Sequence, residues 1–178
     1  AVRFFYFYQN FCMNNIDIIS EKIFSRYGTF SATLKRWKKS GDKIVFTNGC
    51  FDLVHRGHID YLAKAADFGD RLIIGLNSDD SVARLKGSGR PLVDEGSRAF
   101  LLASLFFVDA VVLFSEDTPE ILIGNILPDY LVKGNDYTVP EIAGHEAVID
   151  HGGKVETIGL LPGFSTSGII NKIRNNLR

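Results

Sequence analysis

Cysteine is scarce in this sequence, and its scarcity excludes two kinds of construction. Cys12 and Cys50 are the only two in 178 residues. They offer neither the spacing of a thiolate metal site nor the number for a disulfide framework, which suits a reducing, cytoplasmic setting. An excess of charge of one sign is also missing. A formal net charge of −1 gives no electrostatic reason to expect nucleic acid or an anionic membrane as partner, so any affinity for phosphate must be local. The aromatic stretch from Ala1 to Cys12 is too short to span a bilayer and lacks a signal peptide's small-residue cleavage pattern. The single methionine is Met13, so residues 1–12 read as a non-native or disordered extension. Internal repeats, low-complexity tracts and interdomain linkers are absent as well.

The rest is ordinary globular composition, 46% hydrophobic and 23% charged. That is enough for one domain with a real core and too little for a second catalytic domain. Residues 13–41 carry Ile16, Ile19, Ile23, Phe24, Leu34 and Trp37 at three- and four-residue intervals, the pattern of one or two short amphipathic helices. Lys35-Arg36-Trp37-Lys38-Lys39 reads as the solvated face of a helix ending at Gly41 rather than as a nucleic-acid patch, with Trp37 in the core. Beyond it the periods alternate. An apolar strand begins at Ile44, a helix runs from Ile59 to Gly69, and Leu72 to Leu76 is a buried strand. Further helices are expected from Ser97 to Phe106, Pro119 to Ile126, Glu141 to His151 and Thr166 to Asn176, with strands at Val108 to Phe114, Tyr130 to Val132 and Val155 to Ile158. Such alternation implies an α/β fold with a doubly wound, mostly parallel sheet behind a short N-terminal helical extension.

One stretch organises the chain: Ile44-Val45-Phe46-Thr47-Asn48-Gly49-Cys50-Phe51-Asp52-Leu53-Val54-His55-Arg56-Gly57-His58. It reads as strand, loop and helix start, so its loop lies at the carboxyl edge of a parallel sheet, where ligands bind and a helix N-terminus offers free N–H groups to an anion. His55 and His58 are either a loop residue and a first-turn cap or a pair of neutral donors to phosphate oxygens. Gly57 would let a ligand approach the backbone.

His55-Arg56-Gly57-His58 after Asn48-Gly49-Cys50-Phe51-Asp52 resembles the HxGH signature of the nucleotidyltransferase superfamily, which includes cytidylyltransferases and phosphopantetheine adenylyltransferase. Asn77-Ser78-Asp79, Leu85-Lys86-Gly87, Arg90-Pro91, Arg98, Lys133-Gly134-Asn135-Asp136-Tyr137, Ile142-Ala143-Gly144 and Gly163-Phe164-Ser165-Thr166-Ser167 follow in the order and spacing of the adenylyltransferase domain of ADP-heptose synthase. The resemblance covers roughly Leu34 to Ile173. It implies a Rossmann-like nucleotidyltransferase domain over 42–178 that transfers AMP from ATP to D-glycero-β-D-manno-heptose 1-phosphate, a lipopolysaccharide precursor step. It also implies Mg²⁺ carried mainly by triphosphate and water rather than by a protein cage, a homodimer, and a substrate supplied by a separate kinase and phosphatase. Such a reaction needs no Ser-His-Asp arrangement, because an ionised phosphate is already a nucleophile.

The site residues follow from the same comparison. His55, His58, Lys86 and Arg98 are expected to act in catalysis. Asn48, Gly49, Cys50, Phe51, Gly57, Lys133, Gly134, Ser165, Thr166 and Ser167 are expected to hold ATP, and Asp52, Arg90, Asp136 and Tyr137 to meet the acceptor. By position alone, Ser165, Thr166 and Ser167 also read as helix caps, Lys86 to Arg90 as a mobile loop, and Asp52 as a brace for the histidine loop. Arg98, expected at a helix start where the dipole disfavours a cation, calls for a salt bridge or an anionic ligand. Leu160 stands where cytidylyltransferases carry Arg, which argues against CTP. The rivals are a polyol-phosphate cytidylyltransferase and a non-catalytic nucleotide-binding protein.

Overall fold

The computed structural model describes residues 14–176. Its strands are β1 (Ile23–Phe24), β2 (Ile44–Gly49), β3 (Arg71–Asn77), β4 (Ala110–Phe114), β5 (Tyr130–Gly134) and β6 (Lys154–Ile158). The α-helices are α1 (Asn15–Ser20), α2 (Tyr27–Lys39), α3 (Arg56–Ala66), α4 (Asp79–Lys86), α5 (Glu95–Ala103), α6 (Glu120–Ile126), α7 (His145–Asp150) and α8 (Thr166–Asn176). All strands are parallel, in the order β1-β4-β3-β2-β5-β6. The chain steps from β2 through β3 to β4 in one direction, then returns to place β5 on the other side of β2. That reversal splays the loops after β2 and β5 apart and opens a crevice at their carboxyl ends.

Burial on both faces explains the apolar strands. Along β2 and β3, Val45, Leu72, Ile74 and Leu76 face a core completed by Tyr61, Leu62 and Ala65 of α3 and Ala99 and Leu102 of α5. The alternate residues Ile44, Phe46 and Ile73 face Phe30, Leu34 and Trp37 of α2 together with Leu122 and Ile123 of α6. Side chains one position apart point to opposite faces, so a strand covered on both sides needs apolar residues at nearly every position. Gly75 is the exception on β3, because a Cβ there would sit 2.7 Å from Cζ of Phe46.

Several expectations are corrected. Residues 13–41 are not wholly helical: Ile23–Phe24 joins the sheet edge as β1, beside β4. Helix α4 occupies a stretch for which no element was expected and ends at Lys86, where the expected loop begins, although Ser78 caps it by accepting from the Ser81 N–H, acids open it and Arg84 and Lys86 close it. The helix expected over 141–151 is a 3-10 turn at Val139–Glu141 followed by the shorter α7, divided at Gly144 with φ 79°. Helix α3 begins three residues before Ile59, and α5 is Glu95–Ala103, so Arg98 is its fourth residue and Leu105 and Phe106 lie beyond its end. The expectation for residues 1–12 lies outside the described residues. Among the described residues no helix is long and apolar enough to cross a membrane.

One buried hydrogen-bonded chain ties the crevice walls together. The Tyr61 hydroxyl of α3 donates to the Val132 carbonyl of β5 at 2.9 Å, so the Thr47 hydroxyl of β2, 2.7 Å away, donates to the phenol oxygen. Tyr61→Phe strands both partners in the core and is expected to cost about 1–3 kcal/mol. Urea unfolding reads this loss directly.

Candidate functional site

The crevice at the switch point is a cleft of about 680 Å³, within the roughly 300–1,000 Å³ range of small-molecule sites. Its floor is Asn48 to Asp52 after β2. His55, Gly57 and His58 of the α3 start form one wall, Lys133, Gly134, Asp136 and Tyr137 after β5 another, and Ser165, Thr166 and Ser167 at the start of α8 a third. Lys86 reaches the cleft from the end of α4. Two helix N-termini, of α3 and α8, therefore open onto the same space, where unpaired N–H groups favour an anion.

The histidines cap α3 reciprocally. Nδ1 of His55 accepts from the His58 N–H at 3.3 Å, and Nδ1 of His58 accepts from the His55 N–H at 3.4 Å. A protonated Nδ1 could not accept, so each neutral ring carries its proton on Nε2. The rings stack with centroids 3.9 Å apart and 14° between planes. Burial lowers His58 to about 4, helped by the neighbouring His55 and Lys86, against a backbone contact at Leu53 that raises it. Burial lowers His55 as well. Both imidazoles are thus neutral N–H donors at physiological pH, and the cap and donor readings of the sequence describe the two nitrogens of one ring.

Cations supply the charge. Lys133 donates to the Asn48 carbonyl at 3.3 Å and lies 5.6 Å from the Tyr137 ring centroid. Burial brings its ammonium down to about 8, with Asp136 and Cys50 pulling the other way. The Cys50 thiol is pushed up, chiefly by burial, so it is a packed wall group rather than a thiolate. Ser165 caps α8 by accepting from the Gly168 N–H at 3.0 Å, while Thr166 and Ser167 line the cleft.

Two expected site residues stand behind the wall. Arg98 is 0% exposed, and its guanidinium donates to Cys50 O at 2.5 Å, Val93 O at 3.0 Å and Asp79 Oδ1 at 2.7 Å. Arg90 pairs with Asp52 and does not line the cleft. Asp52 borders the cleft, but its carboxylate is filled by Arg90 and by the N–H groups of Leu92 at 2.6 Å and Val93 at 3.1 Å. Burial would raise that carboxyl; the two backbone donors and Arg90 outweigh it and hold it below the ordinary value.

Tyr61, Asp117 and Thr118, which the sequence reading did not single out, and Asn77 and Phe164, which it quoted within motifs without giving them a role, also line the cleft. Asp117 and Thr118 were findable, since they follow a parallel strand at the carboxyl edge. Phe164 was hidden by distance in the chain: it packs over Gly57, where a Cβ would come within 2.9 Å of Phe164 Cβ and 3.1 Å of the His55 ring.

A family model described as cytidylyltransferase-like matches residues 46–170. The chain is 54% identical over 144 residues to the bifunctional protein HldE of Geotalea uraniireducens, covering 81% of this chain and 29% of that protein. It is 49% identical over 154 residues to the bifunctional protein HldE of Rhodopseudomonas palustris, covering 86% of this chain and 31% of that protein. The chain thus spans about a third of the length of these relatives. Among solved structures, a lipopolysaccharide core biosynthesis protein from Thermoplasma volcanium superposes with TM-score 0.55 at 30% identity, covering 68% of this chain and 98% of that one. A pantoate-β-alanine ligase from Francisella tularensis, with TM-score 0.56 at 18% identity over 88% of this chain and 78% of that one, shares the fold.

Two outcomes follow for inorganic triphosphate binding measured by calorimetry. Once the ligand's own ionisation, followed separately, is taken out, affinity falls as pH rises through about 8 while Lys133 loses its charge, and this alkaline limb is lost in Lys133→Gln. In Gly57→Ala, the added methyl must displace Phe164 at its Cβ or the His55 ring. Affinity is expected to drop, and thermal stability to fall with it because the turn before α8 loses its packing.

Proposed function

This chain belongs to the cytidylyltransferase-like family, and from that premise we propose that it moves AMP from ATP to a sugar 1-phosphate, D-glycero-β-D-manno-heptose 1-phosphate, releasing pyrophosphate and ADP-heptose. The observation that carries the reading is the reciprocal histidine cap, which leaves two uncharged Nε2–H donors at a cleft shared by two helix N-termini. An acceptor phosphate oxygen attacks the α-phosphorus. The bond to the bridging oxygen breaks, and its electron pair leaves with pyrophosphate.

Charge grows on the α-phosphate and bridging oxygens during this step. Donors fixed in advance toward those oxygens, in a water-poor cleft, are each worth roughly 3 kcal/mol, about 10²-fold in rate. His55 and His58 fill that role, Lys133 and Lys86 neutralise the phosphates, and the α8 start with Thr166 and Ser167 grips the tail of the triphosphate. Magnesium enters with ATP, held by phosphate oxygens and water. Asp136 and Tyr137 face the acceptor.

ATP is favoured over CTP by Leu160, which borders the cleft beside Gly134 and offers no hydrogen-bond donor to a pyrimidine carbonyl. The heptose acceptor rests on the resemblance to ADP-heptose synthase and on the HldE relatives. In this reading the protein works in the cytoplasm, where ATP is made, downstream of a kinase and a phosphatase. It pairs as a homodimer through the apolar surface around Leu101 and Phe106, the latter 85% exposed.

Pyrophosphate release with Mg²⁺, ATP or CTP, and a panel of sugar 1-phosphates and polyol phosphates tests the reading. Turnover is expected with ATP and heptose 1-phosphate, and His58→Ala is expected to lower kcat about 10²-fold. Preference for CTP would keep the chemistry and overturn the substrate; no release with any pair would leave a nucleotide-binding protein.

A further inference from the structure

Phe51 sits in the histidine loop with φ 46°, in the left-handed region that a residue with a side chain rarely adopts. Both flanks of that residue are held by buried charge. On one side Arg98 takes the Cys50 carbonyl; on the other the Asp52 carboxylate takes Arg90 and the N–H groups of Leu92 and Val93. Arg98 also takes the Val93 carbonyl, so Val93 is gripped through both of its backbone polar groups. The same guanidinium reaches Asp79, whose N–H donates to Glu95 at 2.8 Å. The loop after β2, the start of α4 and the start of α5 are thereby one cross-braced unit.

The strained backbone turns the Phe51 ring back over Gly49, where a Cβ would meet Cε2 of the ring at 3.0 Å. That ring, part of the core beneath the loop, also meets His58 edge to face, with centroids 5.3 Å apart and 65° between planes. His58 is held by the His55 N–H on its Nδ1, the stacked His55 ring, the backbone at Leu53 and the Phe51 ring. The first two come from the α3 cap. The other two come from the loop, and of these only the Phe51 ring depends on a side chain next to the clamped backbone.

We propose that Asp52 and Arg98 are positioning residues: by clamping the backbone on either side of Phe51 they hold its ring against His58 and so aim Nε2 of His58 into the cleft. This deepens the nucleotidyl-transfer reading and rests on it. Neither residue touches a reacting atom. Three of the Arg98 nitrogens are occupied by protein acceptors, and both Asp52 oxygens by protein donors, so the pair acts through Phe51.

The test uses Asp52→Asn, Arg98→Lys and Phe51→Leu, the last leaving every charged contact in place. Each is expected to lower kcat at least roughly tenfold, while KM for ATP stays within about threefold in Asp52→Asn and Arg98→Lys, whose side chains are filled by protein partners. In a His58→Ala background the same changes are expected to cost little further, because the group they aim is gone. The ¹⁵N signals of His58 give a readout independent of turnover: the single Nε2–H tautomer of the parent is expected to give way to mixed tautomers in each variant. Full additivity with His58→Ala, or an unchanged His58 tautomer in all three variants, would overturn the proposal. Should the parent release no pyrophosphate from any nucleotide, the functional reading fails, and the ¹⁵N signals still decide the clamp.

Discussion

An imidazole has two nitrogens, and at the start of α3 each histidine spends one of them on a backbone N–H that the helix cannot satisfy itself. That commitment fixes the tautomer, the ring orientation and, with burial, the neutral state. Everything else around the cleft is compatible with it. Gly57 leaves room for the turn before α8 to close over the rings, and Phe164 from that turn packs beside His55 with centroids 6.3 Å apart. The Arg56 guanidinium, outside the cleft, lies 5.8 Å from the centroid of the Phe164 ring.

Charge is distributed in two layers. Facing the cleft are neutral imidazoles and the cations Lys133 and Lys86, with the carboxylates Asp117, Asp136 and Glu141 also on its lining. Behind the wall lie Arg90, Arg98 and Asp79, and Asp52 at its border has its carboxylate filled from that side; each is matched to an opposite charge or to backbone dipoles. A buried charge left without a partner is costly, so these residues tie together segments far apart in the chain. The same logic decides between the readings that the sequence left open for two of them: Asp52 braces the histidine loop and Arg98 forms a salt bridge, with protein partners on both.

Much of the fold was readable because it depends on local pattern. Doubly covered strands require apolar residues at both parities, and Leu72-Ile73-Ile74-Gly75-Leu76 states this outright. The start of α8 follows from Ser165 and the glycine turn before it, and Trp37 is core as its helical spacing implied. The errors have particular causes. Helix α4 was overlooked because its polar, charged sequence buries only Ser81 and Val82, leaving little periodicity to see. The break at Gly144 follows a backbone conformation that composition does not announce.

By itself the sequence determined the alternation of strands and helices, the strand–loop–helix that carries His55 and His58, and the local signals that start and stop most elements, since all of these arise between residues a few positions apart. The tertiary structure decided which charges face the cleft and which brace it. It also decided that Nδ1 of each histidine is committed to the α3 cap, and that Phe164 closes on Gly57. Those outcomes depend on pairings such as Arg98 with Cys50 and Asp52 with Leu92. Such pairings are set by the order of strands in the sheet, and linear spacing carries no record of it.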